Sequence, residues 1–345
     1  MKYRQLGGSS LKVSRICLGT MTFGGQNDEA ESQQQLDYAV SRGVNFFDTA
    51  EMYPIPPGKE LQGDTERYLG RWMKERSNRR DVVIATKVTG PGAFVSYIRD
   101  NMRHDRANIR AAVEGSLKRL GTDYIDLYQL HWPDRAANYF SQLDYRHKPE
   151  HDGTPLLETL EAMSELVKEG LVRQIGVSNE TAWGVMSYLA LAEKHDLPKM
   201  VSIQNPYNLL NRSVEIGLAE VMQRQQVDLM AYSPLAFGTL TGKYLNGQMP
   251  QGSRLSLFKH YVRYLTEAGE KATAKYVQLA RDHGLEPNQM ALAFVNSRAF
   301  VGGNIIGATT LEQLQSNLDS IILKLSDEVL AAIEAIHSEH PNPCP

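Results

Sequence analysis

Cysteine is scarce in this sequence of 345 residues, which argues against a disulfide-stabilised fold. The two cysteines, Cys17 and Cys344, lie near opposite ends of the chain, one in an apolar run and one in a proline-rich tail. We therefore expect no disulfide and a reducing compartment. A secretory signal is also missing, because no apolar core follows the first charged residues. Together these absences predict a cytoplasmic location.

Long hydrophobic runs and a large excess of one charge are missing as well. No apolar stretch reaches the roughly 18 residues that a membrane-spanning helix needs. The 37 basic and 40 acidic residues nearly cancel, leaving a net charge of -3. This balance favours neither nucleic acid nor an anionic membrane as a partner. We expect a small-molecule ligand, and the pattern is compatible with both a monomer and an oligomer.

Eight short apolar runs recur along the chain, and each is followed by a polar residue or a turn. Their length and their content of β-branched residues are typical of buried parallel strands. The runs are residues 14–18, 44–47, 82–86, 125–130, 173–177, 201–203, 228–231 and 303–306.

Segments with helical periodicity alternate with these strands. They are residues 29–42, 65–75, 108–120, 155–169, 181–195, 214–225, 269–283, 287–297 and 310–317. The alternation implies βαβ units with right-handed crossovers, and eight such units close naturally into a barrel. An open doubly wound sheet would need a glycine-rich dinucleotide turn after its first strand, and that turn is absent. We therefore predict a single α/β domain over residues 1–345, a (β/α)8 TIM barrel.

Five further segments fall outside the repeat. Residues 2–13 predict an N-terminal hairpin around Gly7 that closes the lower end of the barrel. Residues 326–337 predict an extra C-terminal helix with Ser326 as its N-cap. Long connections over residues 89–107, 132–154 and 236–266 leave the carboxyl ends of strands, where long ordered loops usually build an active site.

Polar residues end the predicted strands, and in a barrel such residues point into one shared mouth. They are Asp48, Lys87, His131, Asn179, Gln204 and Ser233, and Tyr53 follows five residues after the first of them. Taken alone, each has a structural alternative, such as a helix cap for Asp48 or a satisfied structural histidine for His131. Their common position favours a shared chemical role.

The phenol, amine, carboxylate and imidazole in this set predict proton transfer to a carbonyl oxygen. A free phenol is a poor acid near neutral pH, because its pKa is about 10. We expect the Lys87 ammonium to lower the pKa of Tyr53, with Asp48 holding Lys87 in place. Tyr53 would then protonate a carbonyl oxygen that His131 orients. A cofactor must supply the hydride, because no side chain donates one.

Successive motifs along the chain resemble those of the aldo-keto reductase superfamily. They are residues 18–21 (LGTM), 47–53 (FDTAEMY), 85–87 (ATK), 130–132 (LHW), 175–179 (IGVSN), 204–207 (QNPY), 232–235 (YSPL) and 307–310 (GATT). The resemblance runs from about residue 3 to residue 337 and is greatest to Tas-type bacterial reductases, which are related to the potassium-channel β-subunit branch.

The resemblance implies a catalytic tetrad and an NADP(H) site. The tetrad is Asp48, Tyr53, Lys87 and His131. The implied cofactor residues are Gly19, Thr20, Met21, Asp48, Ser178, Asn179, Gln204, Tyr232, Ser233, Pro234, Leu235, Ala236, Phe237, Gly238, Lys243, Arg254, Gly307, Thr309, Gln313 and Asn317. Among these, Asn179 and Gln204 match positions that hold the nicotinamide carboxamide, and Tyr232 matches the aromatic residue that stacks on its ring.

One departure from the family pattern concerns the 2′-phosphate of the cofactor. Many members carry Lys or Arg just before the helix of Gln313, whereas this chain has Thr309 and Thr310 there. Arg254 compensates from the seventh loop in our interpretation, so NADPH remains the expected cofactor.

The expected substrate is a small carbonyl compound, with Trp132, Phe23 and Met52 lining its pocket. We expect no metal, because Pro149 between His147 and His151 disfavours a helix that would aim both rings one way.

The sequence is compatible with three functions. The first is reduction of aldehydes or ketones with NADPH. The second is a nicotinamide-loaded sensor or auxiliary subunit with slow, vestigial turnover. The third, a barrel isomerase or aldolase that uses Lys87 as a Schiff base, agrees least with the cofactor-type residues.

Overall fold

The computed structural model describes residues 1–148, 150 and 153–345. Its strands form two sheets. The first is an antiparallel hairpin of β1 (Tyr3–Gln5) and β2 (Lys12–Ser14). The second is a closed barrel of parallel strands, in which the first strand pairs with the last. Its strands are β3 (Ile16–Gly19), β4 (Phe46–Asp48), β5 (Val83–Val88), β6 (Ile125–Leu130), β7 (Val172–Ser178), β8 (Met200–Pro206), β9 (Asp228–Tyr232) and β10 (Val301–Ile306). The predicted (β/α)8 barrel and its N-terminal hairpin are confirmed.

Helices surround the barrel in the predicted alternation. They are α1 (Glu29–Ser41), α2 (Asp64–Arg76), α3 (Arg106–Leu120), α4 (Leu156–Lys168), α5 (Ala182–His195), α6 (Leu218–Gln225), α7 (Arg254–Leu257), α8 (Glu267–Asp282), α9 (Pro287–Ser297), α10 (Leu311–Asp319) and α11 (Asp327–Glu339). The helix predicted from residue 214 begins only at Leu218, because Gly217 has a positive φ of 79° and separates it from a short 3-10 turn, Ser213–Glu215. The four-residue helix α7 was not predicted.

Side-chain caps explain why several helices begin where the sequence suggested. Asp28 forms a capping box with Glu31 at the start of α1. Ser326 accepts a hydrogen bond from the Val329 amide, as predicted for α11. None of the described helices is long and apolar enough to cross a membrane.

The interior of the barrel has an apolar lower layer and a polar upper layer. Side chains alternate along each strand, so Phe46 packs inside while Phe47 contacts the helix layer. The same period of two puts Asp48 inward, one layer above Phe46. On β5, where Ala85 pairs with Asp48, the inward residues are Ala85 and Lys87. The charged residues therefore lie toward the carboxyl ends of the strands.

The hairpin closes the lower end of the barrel. Leu6 is buried in the lower apolar layer with Phe46 and Met230. The Gly7 amide donates to Oδ2 of Asp228 at 2.7 Å, and Asp228 also pairs with Arg4 at 2.7 Å. Since β9 begins at Asp228, these contacts lie at the amino ends of the strands. The opposite end remains open, at the polar layer.

We expect Gly7→Ala to destabilise the protein more than Gly170→Ala. Both glycines have positive φ, 54° and 77°, which strains an alanine by about 1 kcal/mol or slightly more. A Cβ at Gly7 would also lie 2.2 Å from the Val201 carbonyl oxygen, whereas at Gly170 nothing lies within 4 Å. Overpacking adds about 1–3 kcal/mol at Gly7. Urea unfolding measures the loss of unfolding free energy in both variants. Equal losses would contradict this packing of the hairpin against the barrel.

Candidate active site

A buried ion pair joins β4 and β5 at the base of the open end. Nζ of Lys87 lies 2.7 Å from Oδ2 of Asp48 and also donates to the Thr49 carbonyl at 2.7 Å. The other carboxylate oxygen of Asp48 accepts a hydrogen bond from Gln204 at 2.8 Å. Both charged side chains are almost completely buried. Breaking a pair of this kind costs about 3–5 kcal/mol, so its partners hold one another in a single arrangement.

Tyr53 lies beside this pair, on the loop that follows β4. The Lys87 nitrogen is 5.1 Å from the centre of the Tyr53 ring, and the His131 ring meets it edge-on at 5.7 Å between centroids. Tyr53 is buried in an apolar cluster with Met52 and Trp132. The structure therefore brings the four predicted tetrad residues together.

The acidity of Tyr53 differs from the sequence-based expectation. Burial raises the pKa of Tyr53 above its usual value, and the negative charge of Asp48 raises it further, while Arg254 acts in the opposite direction. The predicted net lowering of the Tyr53 pKa is wrong in this structure, because burial, and then the Asp48 carboxylate, outweigh the effect of the Lys87 ammonium. Tyr53 consequently retains its proton across the neutral range.

His131 is a buried, neutral imidazole at the end of β6. Burial lowers its pKa well below the usual value, and the positive charges of Lys87 and His104 lower it further. The Asn179 side chain donates to the His131 carbonyl at 2.9 Å and joins the neighbouring strand end to it. Among the described residues, none hydrogen-bonds to the buried Nδ1 of His131. The neutral ring is therefore available to form a hydrogen bond with a ligand.

A cavity of about 1520 Å³ opens above these residues. Tyr53 and His131 line its base, together with Met52 and Trp132 of the expected substrate pocket. The expected cofactor residues that line it are Gly19, Met21, Asp48, Ser178, Asn179, Gln204, Tyr232, Ser233, Pro234, Leu235, Phe237, Gly238, Lys243, Arg254, Gly307, Thr309, Gln313 and Asn317.

Three of the residues predicted for the cofactor site or the substrate pocket do not line the cavity. Phe23 is fully buried in the core between barrel and helices, where its carbonyl accepts a hydrogen bond from Thr65, so its assignment to the substrate pocket is wrong. Thr20 is buried and donates its hydroxyl to the Asp48 carbonyl at 2.8 Å, which supports the end of β4. Ala236, which belongs to the loop after β9, is fully buried.

Lys87 does not line the cavity either, which bears on the Schiff-base alternative. Its side chain has no exposed surface and its nitrogen is held by two acceptors. A Schiff-base lysine must reach the substrate as a free amine, and this position does not provide one. Of the two histidines for which no metal is expected, His147 forms a hydrogen bond with the Tyr145 hydroxyl at 3.0 Å, and His151 lies outside the described residues.

The cavity is large enough for a dinucleotide, and it offers hydrogen-bond donors that suit one. Thr310 caps the N-terminus of α10, where free backbone N–H groups favour anions. The Tyr232 hydroxyl donates to the Asn179 amide oxygen at 2.6 Å. This bond links the aromatic residue at the end of β9 to the amide that follows β7. Arg254 lies over Phe237 and Tyr261, 4.2 and 5.2 Å from their ring centres. Its buried Nε has no hydrogen-bond partner among the described residues, which an anionic ligand would provide.

Some supporting residues were missed in the sequence. Glu51 is buried and accepts hydrogen bonds from Arg99 and from the Thr89 amide, the latter at 2.9 Å. This contact ties the loop after β5 to the segment that carries Tyr53. His104, on the same loop, is also buried, and burial lowers its pKa to about 4. The position of Glu51 two residues before Tyr53 was the available signal, whereas Arg99 and His104 carried none.

A large, mainly apolar cavity with a few convergent polar groups at the carboxyl end of a parallel barrel is typical of barrel enzymes. The profile of the Aldo/keto reductase family matches residues 15–338, and the chain belongs to this family of oxidoreductases.

The relatives span nearly the whole length of the chain. Protein tas of Escherichia coli (strain K12) is 54% identical over 100% of both sequences. The Uncharacterized oxidoreductase YrpG of Bacillus subtilis (strain 168) is 35% identical over 97% of this chain and 96% of its own. A Probable voltage-gated potassium channel subunit beta of Oryza sativa subsp. japonica is 32% identical over 99% and 98%.

We expect the His131 ring to stay neutral through the pH range around 6.5 in which a free imidazole titrates. A lowered pKa means that protonation begins only at more acidic pH, so no step should occur in this range. NMR titration of Cε1-labelled histidines measures this, with His131→Asn and His104→Asn assigning the two buried rings. The exposed His195 gives a reference signal. A His131 midpoint near pH 6.5 would contradict the buried environment.

Proposed function

We propose that this protein reduces aldehydes and ketones to alcohols with NADPH, and that Tyr53 is the general acid. The observation that carries the proposal is the contact of the Tyr53 ring with both the Lys87–Asp48 pair and the neutral His131 ring at the base of one cavity. These groups suit a reaction in which negative charge develops on a carbonyl oxygen.

The proton step begins from a protonated phenol. Because the pKa of Tyr53 is raised, its hydroxyl carries the proton that a carbonyl oxygen needs. As the carbonyl becomes an alkoxide, the oxygen becomes a stronger base than the phenolate and takes this proton. The Lys87 ammonium next to the ring then stabilises the phenolate. A neutral His131 donates a hydrogen bond to the same oxygen and orients the substrate.

NADPH, when bound, supplies the hydride that reduces the carbonyl carbon. In this proposal Asn179 and Gln204 hold the nicotinamide amide, and Tyr232 lies against the ring. The first part of the seventh loop, from Ser233 to Gly238, covers the pyrophosphate. Lys243 and Arg254 provide the cations for phosphate, since each lines the cavity and neither forms an ion pair with a described residue.

The cytoplasmic location remains part of this proposal. Cys17 and Cys344 are both buried and free, which agrees with a reducing compartment.

A nicotinamide-loaded auxiliary subunit is the second candidate function. The 32% identical rice relative whose printed name is a probable potassium channel β-subunit favours it. Turnover far slower than cofactor exchange, together with a stable partner in pull-down experiments, would support this candidate over the reductase.

We expect Tyr53→Phe to lower kcat for aldehyde reduction by about 10²- to 10⁴-fold, because a general acid contributes on that order. The dissociation constant for NADPH should change little, since the phenol acts on the substrate oxygen. Stopped-flow absorbance at the NADPH band measures the rate. Tyr145→Phe, on an exposed loop, is the matched control. Full turnover by Tyr53→Phe on every aldehyde tested would exclude the proposed acid.

We expect Arg254→Met to raise the dissociation constant for NADPH by about 10- to 100-fold, while binding of NADH changes much less. Methionine keeps apolar packing on Phe237 but removes the charge, and a hydrogen bond to a charged group is worth about 1.5–3 kcal/mol.

Fluorescence titration with the two cofactors measures this difference. Arg224→Met is the control, since Arg224 is exposed on α6 and pairs there with Glu220. Equal weakening of NADPH and NADH would refute a role for Arg254 at the 2′-phosphate.

A further inference from the structure

Aromatic residues from two long loops converge on Trp132 at the rim of the cavity. Phe94, from the loop after β5, stacks on the Trp132 ring with 5.7 Å between centroids and 25° between planes. Phe140, from the loop after β6, meets the same indole edge-on at 5.7 Å. We call these three residues, Phe94, Trp132 and Phe140, the aromatic rim. All three line the cavity above Tyr53 and His131.

Trp132 is the fixed member of the aromatic rim. Its indole N–H donates to the Pro91 carbonyl at 2.9 Å, and a Cβ at Gly90 would lie 2.4 Å from the indole nitrogen. The backbone thus packs directly against the ring. His131 lies next to it, with 4.9 Å between ring centroids, so the aromatic rim lies directly beside the proposed reaction site.

The two phenylalanines present exposed aromatic surface beside this fixed ring. Phe94 is 53% exposed and Phe140 is 44% exposed. Residues 140 and 141 also have positive φ values, 51° for Phe140 and 77° for Ser141, which non-glycine residues rarely adopt. The loop therefore adopts a disfavoured backbone conformation where it brings the Phe140 ring to the cavity. Strained backbone of this kind is concentrated at functional sites.

The charge distribution around the cavity separates two regions. Within residues 1–148, all of which are described, Asp48 is the one carboxylate or cationic residue that lines the cavity, and Lys87 already pairs with it. The cations at the cavity, Lys243, Arg254 and Arg263, all come from the loop over residues 236–266. The described side chains of the aromatic rim, with Met52 and Ile55, are uncharged and cannot pair with an anionic substituent.

We propose that the substrate is an uncharged carbonyl compound with an aromatic ring, which packs against Phe94 and Phe140 while its carbonyl oxygen reaches Tyr53 and His131. This inference rests on the proposed reductase function and adds the substrate class and two specificity-determining residues. Aromatic rings favour stacked or edge-on contacts beyond their apolar burial. A carboxylate on the ring is disfavoured, because burying an unpaired charge is unfavourable.

The test compares aldehydes that differ only in the ring. For 3-phenylpropanal and 3-cyclohexylpropanal the carbonyl group is the same distance from a six-membered ring. We expect the wild-type protein with NADPH to favour the phenyl compound in kcat/KM. Phe94→Leu and Phe140→Leu keep apolar volume but remove the aromatic face, and each should lower this preference about threefold to tenfold.

Controls separate the aromatic rim from general damage. Tyr145→Leu removes a 59% exposed aromatic side chain from the same loop as Phe140, outside the cavity lining, and should leave the preference unchanged. Propanal is too short to reach the rim, so Phe94→Leu and Phe140→Leu should lower kcat/KM for 3-phenylpropanal more than for propanal, whereas Tyr145→Leu should change neither. Benzaldehyde should exceed 4-carboxybenzaldehyde by about tenfold or more in kcat/KM.

The outcomes distinguish this inference from the proposed function. Unchanged ring preference in both phenylalanine variants, or a preference for 4-carboxybenzaldehyde, would overturn the substrate class while reduction of propanal still supports the reductase. If NADPH binds but no aldehyde is reduced, the reductase function itself fails, and the substrate class fails with it.

Discussion

The buried contact between the Lys87 ammonium and the Asp48 carboxylate is the interaction on which the candidate site depends. Two charges taken out of water are tolerated only when close geometry and further hydrogen bonds compensate for lost solvation. Here Gln204 and the Thr49 carbonyl provide those bonds. The pair thereby joins the ends of β4, β5 and β8, and Tyr53 and His131 are arranged around it.

The barrel supplies the two environments that this arrangement requires. Its lower interior, closed by the hairpin and filled by Phe46, Leu127 and Met230, excludes water beneath the ion pair. Its upper end opens into a cavity built by the long loops, which contribute both aromatic residues and cations to the lining. Burial in this setting keeps both Tyr53 and His131 uncharged. A reductase acting on neutral carbonyl compounds suits such a site.

Local sequence patterns were informative where one interaction dominates. The strand ending in Asp48 and the helix capped by Ser326 were predictable, because the periodicity of apolar residues and the helix-capping interaction each involve only a few neighbouring residues. The pattern failed for Phe23, whose apolar character was compatible with either a pocket or the core. It also failed for α7, since a single helical turn within a long loop has too few residues to show a period.

The sequence by itself determined the order of strands and helices, the inward direction of Asp48 and Lys87, and the family to which the chain belongs. These follow from alternation and motif spacing, which are properties of neighbouring residues. Tertiary structure alone decided that the pKa of Tyr53 is raised, that Arg99 and His104 support the site, and that Phe94 and Phe140 meet at Trp132. Burial and the balance of charges depend on groups distant in the chain, which only folding brings into contact.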